Sequence, residues 1–303
     1  DAFWDRKGDA KASIKEQVNN ALVDNKDLSA WVNVESVSIY LSQGYIESLA
    51  VFKLLADAGI SANFNFDNGK MELETTTYFN KDLKEVVAKY YSKNSVNYDL
   101  SKYVNIENAS AYSFSYLSVD LVKYFIKQAG FESTVNNMLS ESNTNIEELS
   151  SLFTGDFAVA EQKPSDEAYY YRNNQIVIVG IQKDKQSIID KFVEFYDVDS
   201  SIFAIGENEI LFSEDSTTLA QFRNKVEAKN SSLNRVSGVN SYSWANGAAL
   251  FNAYLNSSDN PQNINIVDII SESKETSGDL TMKMTVNFDK KDANVIYYLL
   301  KHE

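Results

Sequence analysis

The chain has 303 residues, 44% hydrophobic and 23% charged, a balance that allows a folded core and excludes wholesale disorder. Its formal net charge is −15, with 28 Lys and Arg against 43 Asp and Glu. Nucleic acid is therefore not an expected partner, because phosphates need cations to neutralise them, and docking on an anionic membrane surface is disfavoured by the same repulsion.

Ile14, Val18, Ala21 and Leu22 fall at helical spacing within residues 10–23. From Trp31 to Tyr40 the residues alternate as in a strand or bulged strand, and the apolar run Ile46 to Leu55 predicts a buried helix. Residues 60–79 carry the clearest signal. Ile60, Ala62, Phe64 and Phe66 alternate, Asp67-Asn68-Gly69 supplies a turn, and Met71, Leu73, Thr75, Thr77 and Phe79 alternate again, which predicts a β-hairpin. Asn80 or Asp82 then opens a helix over residues 83–91, since a short oxygen-bearing side chain caps free N–H groups. A strand over 109–117 leads to Ser118, which caps a helix bearing Leu121, Val122, Phe125 and Ile126 and stopped by Gly130. The polar run 140–151 has little to bury. It divides the chain into an N-terminal α+β domain, 1–145, and a C-terminal one, 146–303.

A second hairpin is expected from Phe157 to Glu161 and Ile176 to Ile181, joined by a long connection holding Pro164 and Tyr169-Tyr170-Tyr171. A helix follows over 187–195, then two strands within 202–212 about the turn Gly206-Glu207-Asn208. Ser216 or Thr217 caps the next helix, with Leu219, Phe222 and Val226 in register. Beyond the polar patch 230–243 come a helix at 248–255, a third hairpin over 266–288 turning at Ser277-Gly278, and a last helix over 292–300.

Three strand-to-helix passages share one pattern. Thr75 to Phe79 leads through Asn80-Lys81-Asp82 to Val86-Val87, Val177 to Ile181 through Gln182-Lys183-Asp184 to Ile188-Ile189, and Met284 to Phe288 through Asp289-Lys290-Lys291 to Val295-Ile296. Aligning Gly69 with Gly278 keeps every strand residue on its face, whereas a slip of one would invert all of them. The pattern suggests duplication of a hairpin-helix-strand-helix unit, against the plainer reading that any hairpin followed by a helix has this look. The expected fold class is α+β, with repeated units and mainly antiparallel sheets covered by helices.

Chemistry-bearing residues are sparse. There is no Cys, and the one His is His302, which removes disulfides, thiolate nucleophiles, Cys or His zinc sites and the Ser-His-Asp triad. Lys81, Lys183 and Lys290 stand where helices begin, but without a Gly-rich phosphate loop they read as solvated turn lysines. Asp197, Asp199 and Ser201 have the spacing of the first calcium ligands of an EF-hand, yet Ile202 and Asn208 stand where that loop needs Gly and Glu. Glu147-Glu148 and Asp166-Glu167 lie in polar segments and read as solvated. No metal or cofactor is expected. Tyr169, Tyr170 and Tyr171 are the candidate ligand-binding residues, because three consecutive aromatics on an extended segment cannot all face inward. The competing reading has them covering a sheet edge.

No stretch reaches the roughly 20 apolar residues of a membrane span. The chain starts at Asp1 without Met, which suggests that an upstream segment was removed by processing or by cloning design; in a bacterial lipoprotein that part would be a signal peptide and a lipidated Cys. Thr154-Gly155-Asp156-Phe157-Ala158-Val159, the Ile176 to Asp184 passage, and Ile210-Leu211-Phe212-Ser213 running into Asp215-Ser216 resemble the Bacteroidetes lipoproteins of the domain-of-unknown-function 4836 family. The resemblance implies a secreted, lipid-anchored α+β protein of the cell envelope, in the periplasm or at the outer-membrane surface, and it brings no functional residues. Two functions remain open: a non-catalytic extracytoplasmic binding or interaction module for a protein or glycan, and a carboxylate-based hydrolase acting on polysaccharide.

Overall fold

The computed structural model describes residues 12–22, 25–42, 54, 56–91, 95–162, 175–197, 199–228, 230, 232–247 and 264–300. Helix α1 (Ala12–Ala21) precedes strand β1 (Leu28–Asn33) and helix α2 (Val34–Leu41). The hairpin β2 (Gly59–Asp67) and β3 (Lys70–Tyr78) follows, and Asn80 Oδ1 accepts from Leu83 N at 2.9 Å to open α3 (Lys81–Tyr91). A 3-10 helix over Tyr98–Tyr103 leads to β4 (Ala109–Tyr116), after which Ser118 Oγ accepts from Leu121 N and starts α4 (Val119–Gln128). Next come α5 (Glu132–Ser140), α6 (Ile146–Leu152) and the pair β5 (Phe153–Gln162) and β6 (Gln175–Ile181). Helix α7 (Gln186–Tyr196), strands β7 (Phe203–Ile205) and β8 (Glu209–Ser213) and helix α8 (Ser216–Arg223) form the following group. Strands β9 (Ser241–Asn246), β10 (Ile266–Thr276) and β11 (Asp279–Phe288) precede α9 (Val295–Leu300).

These strands form one antiparallel sheet in the order β1-β2-β3-β11-β10-β9-β4-β5-β6-β8-β7, which makes the protein α+β. The interval 1–145 and the interval 146–303 share it, because β11 pairs with β3 and β5 with β4. Opposed residues run in rows across the strands. Tyr242, Phe114, Ala158, Ile178 and Leu211 make one row, and Ser243, Ser113, Val159, Val177 and Phe212 make the next, on the other face.

The first face carries the main core. Tyr112, Phe114, Tyr242, Ile178 and Leu211 are buried there beneath Leu100 of the 3-10 helix, Leu219 and Phe222 of α8, and Val239. Each fully buried side chain of this size contributes about 1.5–3 kcal/mol. The opposite face holds two smaller clusters. Leu152, Ile181, Ile188, Ile189, Phe203 and Ile210 join α6 and α7 to one half, and Val295 of α9 covers Val286 and Phe288 on the other.

Hairpins β2-β3 and β10-β11 seat each other. A Cβ on Gly69, at φ +67°, would stand 2.7 Å from the Lys290 carbonyl oxygen, and one on Gly278, at φ +86°, 2.4 Å from that of Lys84. Thus each hairpin turn lies in the strand-to-helix passage of the other. The three passages that share a sequence pattern are nonetheless built differently. Asn80 caps α3, Gln182 makes no side-chain cap, and Asp289 accepts from Asn265 N and Nδ2 at 2.9 and 2.8 Å.

Several local expectations change. Residues 34–41 are helical rather than extended, because Asn33 Oδ1 accepts from Ser36 N at 2.7 Å and ends β1. The cap of α8 is Asp215, not Ser216 or Thr217, and Val226 lies beyond that helix. The polar run 140–151 is not without burial: Ile146, Ser142 and Thr144 are buried within it, as is Leu152 immediately after it. The end of the polar patch 230–243 opens β9, a central strand. The expected helix at 248–255 lies outside the described residues, as does nearly all of 46–55.

The seating of Gly278 gives a direct test. Gly278→Ala should lower stability in urea denaturation by about 2 kcal/mol or more, since backbone blocks the new Cβ and φ is positive. Gly130→Ala, also at positive φ but with nothing within 4 Å, should lose only about 1 kcal/mol.

Candidate functional site

Glu209 stands on the inward-facing side of β8 with Leu211 and Ser213, so an acid enters the main core face. A buried carboxylate needs partners. Tyr103, the last residue of the 3-10 helix, donates its hydroxyl to Glu209 Oε1, Asn208 N donates to Oε2 at 3.2 Å, and Lys102 Nζ lies 3.9 Å away. The Tyr103 ring meets Phe222 of α8 edge-on at 4.6 Å between centroids, and Lys102 Nζ lies 4.7 Å from its centroid. Burial, then the hydrogen bond and charge of Glu209, push the Tyr103 hydroxyl well above its usual range, so it stays a proton donor.

Tyr103 lines two clefts. The first encloses about 380 Å³ and is walled by the amides of Asn105, Asn108, Gln162 and Gln221 and the hydroxyls of Ser213, Thr217 and Thr218, with Ile176 at its base. Among the described residues Asp215 is its one charged lining residue. That carboxylate is committed to the start of α8, accepting from Thr217 N at 3.1 Å, Thr218 N at 3.0 Å and Thr218 Oγ1 at 2.7 Å. Partial burial works against its charge, but the bonds from Thr218 and Thr217 outweigh this and hold it below the usual carboxylate range. Gln162 Nε2 is buried in the wall without a hydrogen-bond partner.

The second cleft, about 260 Å³, is charged and lined by Lys102, Arg223, Lys225, Glu207, Glu209 and Glu227. Its cations are largely committed. Arg223 Nη2 donates to the carbonyls of Ser200 and Phe203 at 2.9 and 3.0 Å, and Lys225 pairs with Glu207 at 3.0 Å. Glu207 also binds Lys183 at 2.9 Å, and the two lysines hold its carboxyl down to about 2. On the opposite face a shallow hollow of about 250 Å³ is lined by Ser113, Ser243 and Ser271 with Val159 and Ile269.

Tyr169, Tyr170 and Tyr171 lie outside the described residues. The connection that carries them leaves from Gln162, in the wall of the first cleft. Lys183 pairs with Glu207 rather than awaiting an anion. Asp197 ends α7 in the left-handed region, and Asp199 accepts from Ser201 N and Oγ at 2.8 and 2.7 Å, so this stretch is a turn. Among the described residues no group of three or more His, Asp or Glu side chains is placed to hold a metal ion. Glu147 pairs with Lys123, and Glu148 with Lys191 and Thr144, while Asp166-Glu167 lies outside the described residues. Asp156, in the bulged start of β5, is raised by burial, partly offset by Thr154 and Asn97, and it lines neither cleft of Tyr103.

Sequence reasoning missed Tyr103, Asn105, Asn108, Gln221 and Glu209. One signal was present: Glu209 shares the strand face of Leu211, and an acid at an inward position needs a partner. The cleft amides carry no such mark.

Carboxyl NMR titration should place Glu207 near 2, and Lys225→Met should move it up toward the ordinary glutamate value. Because its pKa is lowered on folding, its stabilising effect is complete above about pH 5 and fades as pH falls toward 2. High salt should weaken the shift, since Glu207 is exposed.

The chain matches no known protein-family model, no curated protein and no solved structure.

Proposed function

We propose that this chain is a non-catalytic glycan-binding module, extracytoplasmic and lipid-anchored in the bacterial cell envelope. The carrying observation is the first cleft, where four side-chain amides and three hydroxyls surround a space beside Tyr103. Amides and hydroxyls both donate and accept, as sugar hydroxyls do, so such a wall suits a neutral polyhydroxylated ligand. The volume falls in the ordinary range for small-ligand sites. The envelope reading is supported by the cysteine-free sequence and by the lipoprotein resemblance of Thr154 to Val159, Ile176 to Asp184 and Ile210 to Ser216.

The hydrolase alternative has less support. Glycoside hydrolysis needs one carboxyl protonated at working pH beside a second that is ionised. Glu207 and Asp215 are both held ionised, and Asp156, the acid that burial raises, lies away from both clefts. We further read β2-β3-α3 and β10-β11-α9 as copies of one ancestral unit. Support comes from the reciprocal seating of Gly69 and Gly278 and from the face-preserving alignment of β3 with β11.

A glycan array followed by calorimetry tests the function. Asn105 and Gln221 have exposed side chains, so Asn105→Ala/Gln221→Ala should fold normally and bind its best array ligand at least about tenfold more weakly, two lost hydrogen bonds being worth that much. Unchanged affinity would remove the cleft from the function. A parallel Tyr169→Ala/Tyr170→Ala/Tyr171→Ala variant measures what the connection leaving Gln162 adds, with weaker binding expected from lost stacking.

A further inference from the structure

The geometry points to a charge filter in the first cleft: it accepts neutral sugar units and rejects carboxylate-bearing ones, with Asp215 as the residue that sets the selection. This rests on the glycan-binding reading above. Among the described residues Asp215 is the one charged side chain in the lining, and no described Lys or Arg joins it there. An anionic sugar entering the cleft therefore meets a fixed negative charge and, among the described residues, no compensating cation.

Two features that could have reversed this sign are already occupied. The first turn of α8 opens toward the cleft through Thr217 and Thr218, and free N–H groups at a helix start attract anions. Here those of Thr217 and Thr218 donate to the Asp215 carboxylate, so the helix end offers an anion little. The described cations that share Tyr103 line its other side, where Arg223 is tied to the carbonyls of Ser200 and Phe203 and Lys225 to Glu207. The remaining lining groups are neutral.

Because Asp215 is exposed, its repulsion acts through a water-like medium. One unit charge a few ångströms from another then changes affinity by about fivefold at low ionic strength, and about 1 M salt screens most of it.

The test uses an array of neutral oligosaccharides printed beside their uronate-bearing counterparts, probed with the wild type and with Asp215→Asn. Asn caps a helix as well as Asp does, so the variant keeps α8, which an unchanged thermal melt by circular dichroism would verify. The wild type should favour the neutral member of each bound pair by about fivefold in low salt, and Asp215→Asn should bind the two members alike. Equal binding of both members by the wild type would overturn the charge filter while leaving glycan binding intact. A preference that survives in Asp215→Asn would overturn the role of Asp215. Binding of neither member in any pair would remove the glycan-binding reading, and the filter with it.

Discussion

The pairing of β9 on both its edges is the constraint on which the rest of the structure depends. Six residues, Ser241–Asn246, bond to β10 on one side and β4 on the other. They join β1-β2-β3-β11-β10 to β4-β5-β6-β8-β7 in one sheet. The strand also sorts the two faces. Tyr242 and Trp244 turn toward the main core with Tyr112 and Phe114, while Ser241 and Ser243 turn the other way and bond to Ser273 and Ser113. Trp244 stacks on Tyr112 at 5.4 Å and Tyr242 lies 6.3 Å from the same ring, so aromatic contacts reinforce the register that the backbone sets.

With that face apolar, the elements that cover it become determinate. Leu100 of the 3-10 helix and Leu219 and Phe222 of α8 are buried on the same core as Tyr242, and the polar residues beside them are left facing one another. That is how Asn105 comes to wall a single cleft with Thr217 and Gln221 of the distant α8. The Tyr103 to Glu209 hydrogen bond serves the same assembly, tying the 3-10 helix to β8 while answering a buried carboxylate. Among the described residues charge is partitioned on either side of Tyr103: the cations sit in one cleft, and the other keeps only Asp215.

Much of the local structure was legible from pattern. The hairpin about Asn68-Gly69, the turn at Ser277-Gly278, the cap at Ser118 and the amphipathic α7 all follow from spacing that backbone geometry makes obligatory. Where reading failed, a short polar residue was weighed wrongly. Asn33 ends β1 and caps α2 where the alternation was read on to Tyr40, and Asp215 caps α8 in place of the Ser and Thr that follow it. The serines of β9 read as part of a polar patch because its wet face is as polar as a loop, and only its partners make it a strand. The cleft was illegible for a similar reason. Amide and hydroxyl side chains are ordinary surface residues, and nothing in the sequence says which will converge.

By itself, then, the sequence determined the α+β class, the antiparallel hairpins and their turns, and a chemistry without thiols or a histidine in its body. These depend on residue type and on periods of two or 3.6, which are local properties. The sheet order, the interleaving of β9, β10 and β11 between β3 and β4, and the placing of Tyr103 against Glu209 were decided only by the tertiary structure. Each requires residues about a hundred to more than two hundred positions apart to meet, and the free energy that selects such a meeting comes from apolar area buried jointly by both, which neither segment carries alone.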